Sequence, residues 1–427
     1  ASDVYKRQVV SRILEEIPLP RMVRVRQNFD NSHVEDVPAE LRRQLASEKF
    51  EGLIRPGMSI AITCGSRGIT NYPEVLRELA SICKEAGAHP FIIPAMGSHA
   101  GATAQGQKRM CESLGVTEAF CGCPIRATMD TVEIGRTREG YAVEIDRYAA
   151  QADGIIVCNR IKAHPVLYGS YESGLCKMIT IGLGKQHGAQ IAHQLGWLRM
   201  THTIKEFAHV TVQNANVLFG VGLVENAYEQ TCRLAALLPQ EIFEQEPVLL
   251  AEAKEKMARI LLRDTDVLVI DRIGKDISGD GMDPHVTGKF CEFYKGPVRF
   301  ERKHIAVLDL TEATHGNYTG IEAADVVSQR VIDKADIDET YPNSLSSCSS
   351  QPMPMHMKND RETIQCAIKI TSGVQPKDIR MIRIPDTLHL TELQVSESML
   401  AQVAQCPGVE IIGEPEDWTF DENGNLW

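Results

Sequence analysis

The chain has 427 residues, 45 Lys plus Arg against 57 Asp plus Glu, 12 Cys, 13 His and a formal charge of -12; this length implies two domains or one domain with large additions, and a hydrophobic content of 43% excludes wholesale disorder. The acidic surplus excludes the broad cationic face that nucleic acid or anionic lipid needs, and leaves room for a small anionic substrate held by a few local cations. Cysteines are too sparse for a disulfide scaffold, no paired CxxC zinc motif occurs, and no apolar run is long enough to span a membrane, so a reduced cytoplasmic protein is expected.

In chain order, residues 1–8 lack a Met start and read as an appended leader outside the fold. The run Met58 to Thr63 follows the turn Pro56-Gly57 and predicts a buried strand. Pro73 then opens a helix whose Val75, Leu76, Leu79, Ile82 and Cys83 keep helical spacing up to Gly87. His89 to Pro94 predicts the next strand, followed by a glycine-rich loop from Ala95 to Thr103. That order is a βαβ unit with a parallel sheet. Thr103 to Leu114 is helical in pattern, and Ala152 to Cys158 is another buried strand. Pro247 to Arg263 predicts a long helix with Pro at its opening, and Thr265 to Ile270 begins a second α/β series, continued by His304 to Leu310 and Ile379 to Ile384. The fold class expected is two α/β domains with mainly parallel sheets and the active site in the cleft between them. The first domain is 9–263 and the second, closing the substrate cleft, is 264–427.

In open α/β sheets, loops after strand C-termini carry the sites. Three such segments hold unusual residues: Cys64-Gly-Ser-Arg67-Gly; Gly97-Ser-His99-Ala-Gly; and a long third with His164-Pro165, Ser173-Gly174-Leu-Cys-Lys177, Ile181-Gly182 and His193. Taken singly, a loop His is more often solvated, Arg67 could pair with a surface carboxylate, and Lys177 is one lysine among many. Yet Lys177 lies inside an apolar run, where an idle ammonium is costly unless paired. Clustered on one domain, with glycines that admit close backbone approach, these residues form a candidate site. A competing motif, Gly182-Leu-Gly184-Lys-Gln-His-Gly188, has the spacing of a dinucleotide fingerprint. Where its ribose-binding acid is wanted, however, stand Thr201 and His202.

Taken in order, these segments resemble the lactate racemase family that uses a nickel-pincer nucleotide. Arg67 takes the place of that family's loop arginine, and Gly97-Ser98-His99 that of its Gly-Thr-His. His164-Pro165 is a reversed Pro-His, Ser173 to Lys177 is the lysine loop, and Ile181-Gly182 stands for Pro-Gly. His193 has the spacing of the metal-ligand histidine. Cys64 occupies the place of an acidic residue, and three extra residues separate His164 from Lys177.

The resemblance implies nickel and a pyridinium-derived thioamide/thiocarboxylate mononucleotide, with Lys177 as its covalent anchor. Ser173, Gly174 and Gly182 would bind the cofactor, and His193 would ligate the nickel, whose square-planar form suits an imidazole. His99 and His164 would be the acid–base pair, since imidazole titrates near working pH. Arg67 and Lys289, the latter in the polar loop Asp280 to Lys289, would hold the substrate carboxylate. A second polar loop, Thr314 to Gly320, would line the cleft or cap a helical run over Ile321 to Ile332. The reaction implied inverts C2 of a 2-hydroxy carboxylate, lactate or a longer or polyhydroxylated relative. Passing the C2 hydrogen as hydride avoids a carbanion from a very poor carbon acid. Neither nucleic acid nor membrane is expected as a partner, with a homodimer among the open assemblies. The alternatives are an NAD(P)-dependent hydroxy-acid oxidoreductase, binding dinucleotide at Gly182 to Gly188 without metal, and a non-catalytic metal or cofactor carrier.

Overall fold

A computed structural model describes residues 2–298, 300–347 and 350–427. The chain forms two units. One comprises Asp30–Met257 with Phe293–Gly296; the other gathers the segment up to Phe29, Ala258–Glu292 and the chain from Pro297 onward.

In the first unit the apolar runs become strands buried on both faces, as parallel sheets covered by helices require. The sheet order is His89–Pro94, Ser59–Cys64, Gly154–Arg160, Val217–Glu225 and Thr231–Leu237. The first four strands are parallel and the last is an antiparallel edge. Helix Tyr72–Glu85 has Pro73 in its first turn, where the missing N–H costs nothing, and buries Val75, Leu76, Leu79 and Cys83. Helix Ala104–Ser113 starts behind Thr103, whose hydroxyl accepts from the Gly106 amide. A small antiparallel pair, Thr131–Arg136 with Ala142–Asp146, completes the set.

The helix expected to open at Pro247 instead runs Pro239–Lys256, opened by Pro239, with Pro247 inside it. A proline there cannot donate to the carbonyl four residues back, Phe243. Tyr171 makes good the loss, its hydroxyl donating to that carbonyl at 2.7 Å.

The second unit has, among the described residues, an eight-stranded mixed sheet in the order Met355–Met357, Val326–Ser328, Arg302–Leu310, Thr265–Ile273, Met381–Ile384, Glu392–Ser396, Met22–Gln27 and Val409–Ile411. The first five strands are parallel and the remaining pairings antiparallel. Three expectations differ here. Strand Met22–Gln27 pairs on both sides within this sheet, so residues 9–29 lie with the C-terminal segments, and the units part between Met257 and Ala258. The stretch expected as one helix after Gly320 contains strand Val326–Ser328 before helix Gln329–Lys334, because β-branched residues fill the site beside Ala306 and Val307. The leader is part of helix Ser2–Glu15, and that helix's Leu14 is buried with Val326 and Cys366.

Candidate active site

The parallel order places the carboxyl ends of Ser59–Cys64, His89–Pro94 and Gly154–Arg160 at one end of the sheet. The chain leaves Ser59–Cys64 toward one neighbour and returns to Gly154–Arg160 on its other side. The topological switch point, where open α/β sheets place their ligands, is therefore between those two strand ends. The loops that follow carry Arg67, His99 and His164.

Direct contacts join the Arg67 and His99 loops to each other and to the Lys177 segment. Ser66 Oγ lies 2.5 Å from His99 Nδ1, tying the Arg67 loop to the His99 loop. Arg67 itself is half-buried and His99 exposed. A Cβ on Gly65 would stand 3.3 Å from Met178 Cε, so the Arg67 loop also packs on the residue after Lys177. The Gly97 amide donates to the Gly182 carbonyl at 3.3 Å. A Cβ on Gly182 would fall 2.7 Å from the Ala95 carbonyl oxygen and 2.6 Å from Met178 Sδ, so only glycine fits that crossing. Cys64, in the place of the family's acid, is fully buried. Its thiol is pushed well above the usual range by neighbouring Cys111 and by burial, and it donates to the Gly65 carbonyl. It stays protonated and supplies no charge to Arg67.

The long segment is pinched at its base. Lys162 and Ser173 pair backbone to backbone at 2.9 and 3.3 Å, closing a loop that holds His164 and the three extra residues. Glu172, fully buried, organises the interior. Its carboxylate accepts from the His164 amide at 2.9 Å and the Gly169 amide at 3.0 Å, and pairs with Lys254 at 2.5 Å. His164 Nδ1 accepts from the amides of Val166 (3.0 Å) and Leu167 (3.2 Å). Amides only donate, so the neutral ring carries its proton on Nε2.

Lys177 ends a three-residue helical turn, Leu175–Lys177, that runs into a π-helical stretch, Met178–Gly182. Behind that turn lies Glu246, buried in helix Pro239–Lys256. Its Oε2 accepts from the Cys176 amide at 2.8 Å, and its Oε1 would collide with a Cβ on Gly174. Gly174 is thus glycine because a carboxyl group occupies its side-chain space. Burial lifts Glu246 to about 7. His193 stands in the last turn of helix Lys185–Gln194, its ring 5.2 Å from that of Trp197. Burial first, and then the Lys177 ammonium, lower it to about 4, so its ring stays neutral and fit for a metal. Lys177 and His193 are therefore within electrostatic reach of one another.

The dinucleotide reading does not survive. A fingerprint needs a strand, a tight turn and a helix N-terminus, whereas the residues before Gly182 are π-helical. A Cβ on Gly184 would lie 2.6 Å from the Thr180 carbonyl, and one on Gly188 would lie 3.3 Å from that of Glu144, so these glycines serve packing. Lys289 belongs to the other unit, where its ammonium donates to the Lys303 carbonyl at 3.1 Å.

Residues 10–206 match the family model described as the lactate racemase N-terminal domain. Over this region, a little under half of its length, the chain is lactate racemase-like. Among solved structures, the lactate racemase apoprotein from Thermoanaerobacterium thermosaccharolyticum is similar at 14% identity and a TM-score of 0.49, over 86% of this chain and 99% of that one. No curated protein matches the sequence. All of the expected site residues except Lys289 lie within the matched residues 10–206.

Around them stand residues that sequence reasoning passed over: Ser66, Gln107, Glu172, Lys185 and Glu246. None carried a usable signal in the sequence: Lys185 stands in a glycine-rich polar stretch, where a lysine reads as solvated, and its burial shows only in the fold. Among the described residues, one histidine–carboxylate group could hold a metal by proximity, Glu139, His202 and Glu206. It is separate from His193, and Arg199 already grips Glu139 at 2.8 and 3.0 Å. No helix among the described residues is long and apolar enough to cross a membrane.

Proposed function

We propose that the protein is a racemase or epimerase inverting C2 of a 2-hydroxy carboxylate, with a nickel-pincer nucleotide as cofactor. The observation that carries the reading is the direct packing of the Arg67, His99 and Lys177 segments on one another at the carboxyl end of one parallel sheet. The family match over residues 10–206 supports it. The residues present fit the cofactor: Lys177 offers an amine for its attachment, and His193 offers a neutral imidazole to its nickel. When bound, that group would accept the C2 hydrogen and return it to either face.

The chain's own residues do the rest. Arg67 holds the substrate carboxylate and so fixes which carbon faces the site. His99 takes the hydroxyl proton at Nε2 and gives it back. Ser66 makes this reversible, because a hydroxyl can donate to Nδ1 or accept from it, letting the ring exchange its proton between nitrogens. His164 has no such freedom: held by two amides, it serves as an Nε2 donor to the substrate oxygen. The two histidines thus differ in role, rather than serving the two enantiomers as mirror images.

Chiral chromatography of 2-hydroxy acids incubated with cofactor-loaded protein tests the reading. The expected result is conversion from either enantiomer with the C2 hydrogen retained in deuterated water, lost by at least about a hundredfold in His99→Ala. No interconversion of any 2-hydroxy acid by loaded protein would overturn it.

A further inference from the structure

Lys185 is fully buried, and the function proposed above leaves it without a task. Its ammonium donates to the Pro94 carbonyl and to Gln107 Oε1 at 3.0 Å, and forms an ion pair with Asp146 Oδ2 at 3.0 Å. A lysine can only donate, so its presence decides which way the Gln107 amide points. With Oε1 turned to Lys185, the Gln107 nitrogen is aimed at the loop, donating to the Gly97 carbonyl at 2.8 Å and the His99 carbonyl at 3.4 Å. Gln107 is itself fully buried.

That loop needs holding. Gly97, Ala100, Gly101 and Ala102 have φ values of 59, 56, 68 and 50 degrees, and two of the four are alanines. A left-handed conformation is unfavourable for a non-glycine residue, and such strain persists only where its surroundings over-determine it. Lys185 also has a positive φ, 54 degrees, at the joint between the Lys177 segment and the His193 helix. Other ionisable groups acting on this ammonium are Asp146 and the Cys111 thiol; burial lowers Lys185 and raises Asp146.

We propose that Lys185 and Gln107 form a buried relay that positions His99, so that the glycine-rich stretch Gly182 to Gly188 serves as the joint of the site. Lys185 fixes Gln107, Gln107 fixes the carbonyls on either side of Ser98, and the strained loop then presents the His99 ring to Ser66. Both are positioning residues: neither reaches the reacting atoms, and the relay stands on the reading of His99 as the acid–base group.

The test uses the full chain without cofactor, with two variants at the middle of the relay. Gln107→Leu removes both halves. Gln107→Glu, examined at pH 8, keeps an acceptor for Lys185 and removes the donation to the loop, which separates loop positioning from mere satisfaction of a buried lysine. The readouts are deuterium exchange over residues 96–103 and the NMR titration of the His99 ring. Both variants are expected to exchange at least about tenfold faster in that loop and to give a His99 titration curve displaced from the parent's, while residues 59–64 and 154–160 keep their protection. Parent-like exchange and titration in either folded variant overturns the relay. Neither readout needs turnover, so absence of racemisation with a parent-like relay would count against the proposed function alone.

Discussion

At the residue scale, Glu246, behind the Lys177 turn, is a buried acid with a structural place. Glu246 is held by backbone and thiol donors rather than by a cation, and burial places its carboxyl at about 7, above the usual 4.5. A raised acid is penalised when ionised, so the cost is absent below the unfolded value, grows between the two values and is complete above the folded one. At 1.36 kcal/mol per unit the full cost is about 3 kcal/mol. The substitution Glu246→Gln is therefore expected to raise stability at pH 8 relative to its effect at pH 4.5 by an amount of that order, measured by urea unfolding at both values. A substitution effect that does not change with pH would contradict the assignment. Lys177 and His193 could be proposed from the sequence, the first from its apolar neighbours and the second from the spacing that the resemblance implies. Glu246 and Glu172 could not, because a lone carboxylate in a helix or loop looks like any solvated acid until the fold encloses it.

At the element scale, apolar runs identified three strands of the first unit, Ser59–Cys64, His89–Pro94 and Gly154–Arg160, to within two residues, while Val217–Glu225, Thr231–Leu237 and the small antiparallel pair went unread. The reason is that parallel strands are buried on both faces and leave an unbroken hydrophobic signature. The errors fell where a tertiary partner replaced a local signal. Pro247 reads as a helix start, yet the helix continues through it because Tyr171 donates to the carbonyl that the proline leaves bare. Tyr171→Phe should therefore cost about 1–3 kcal/mol, the penalty for a buried carbonyl without a donor, read as a lower denaturation midpoint with an unchanged slope. A midpoint equal to the parent's would mean that the helix tolerates the proline by other means. The π-helical stretch Met178–Gly182 was likewise hidden, since its apolar residues have no strand or helix period to betray it.

At the scale of the whole molecule, sequence order and spatial order diverge. Strand Met22–Gln27 lies between Glu392–Ser396 and Val409–Ile411, a pairing across the length of the chain that no local pattern foretells. Every strand of the five-stranded sheet, by contrast, comes from residues 59–237. A fragment of residues 30–257 is thus expected to fold cooperatively on its own, with a single sigmoidal thermal transition by circular dichroism. A fragment starting at residue 30 and running to the end should lose protection at Glu392–Ser396 in deuterium exchange. Failure of the first fragment to fold, or full protection in the second, would contradict the division described.

The site proposed in that first unit stands or falls with Lys177 and His193. The most direct measurement is peptide mass analysis with metal quantitation on protein produced together with the enzymes that make the pincer nucleotide. The Lys177 peptide should carry a mass increment and the chain roughly one nickel, with the nickel lost in His193→Ala while the increment on Lys177 remains. An unmodified Lys177 and no bound nickel, under conditions that load an established lactate racemase, would contradict the proposal.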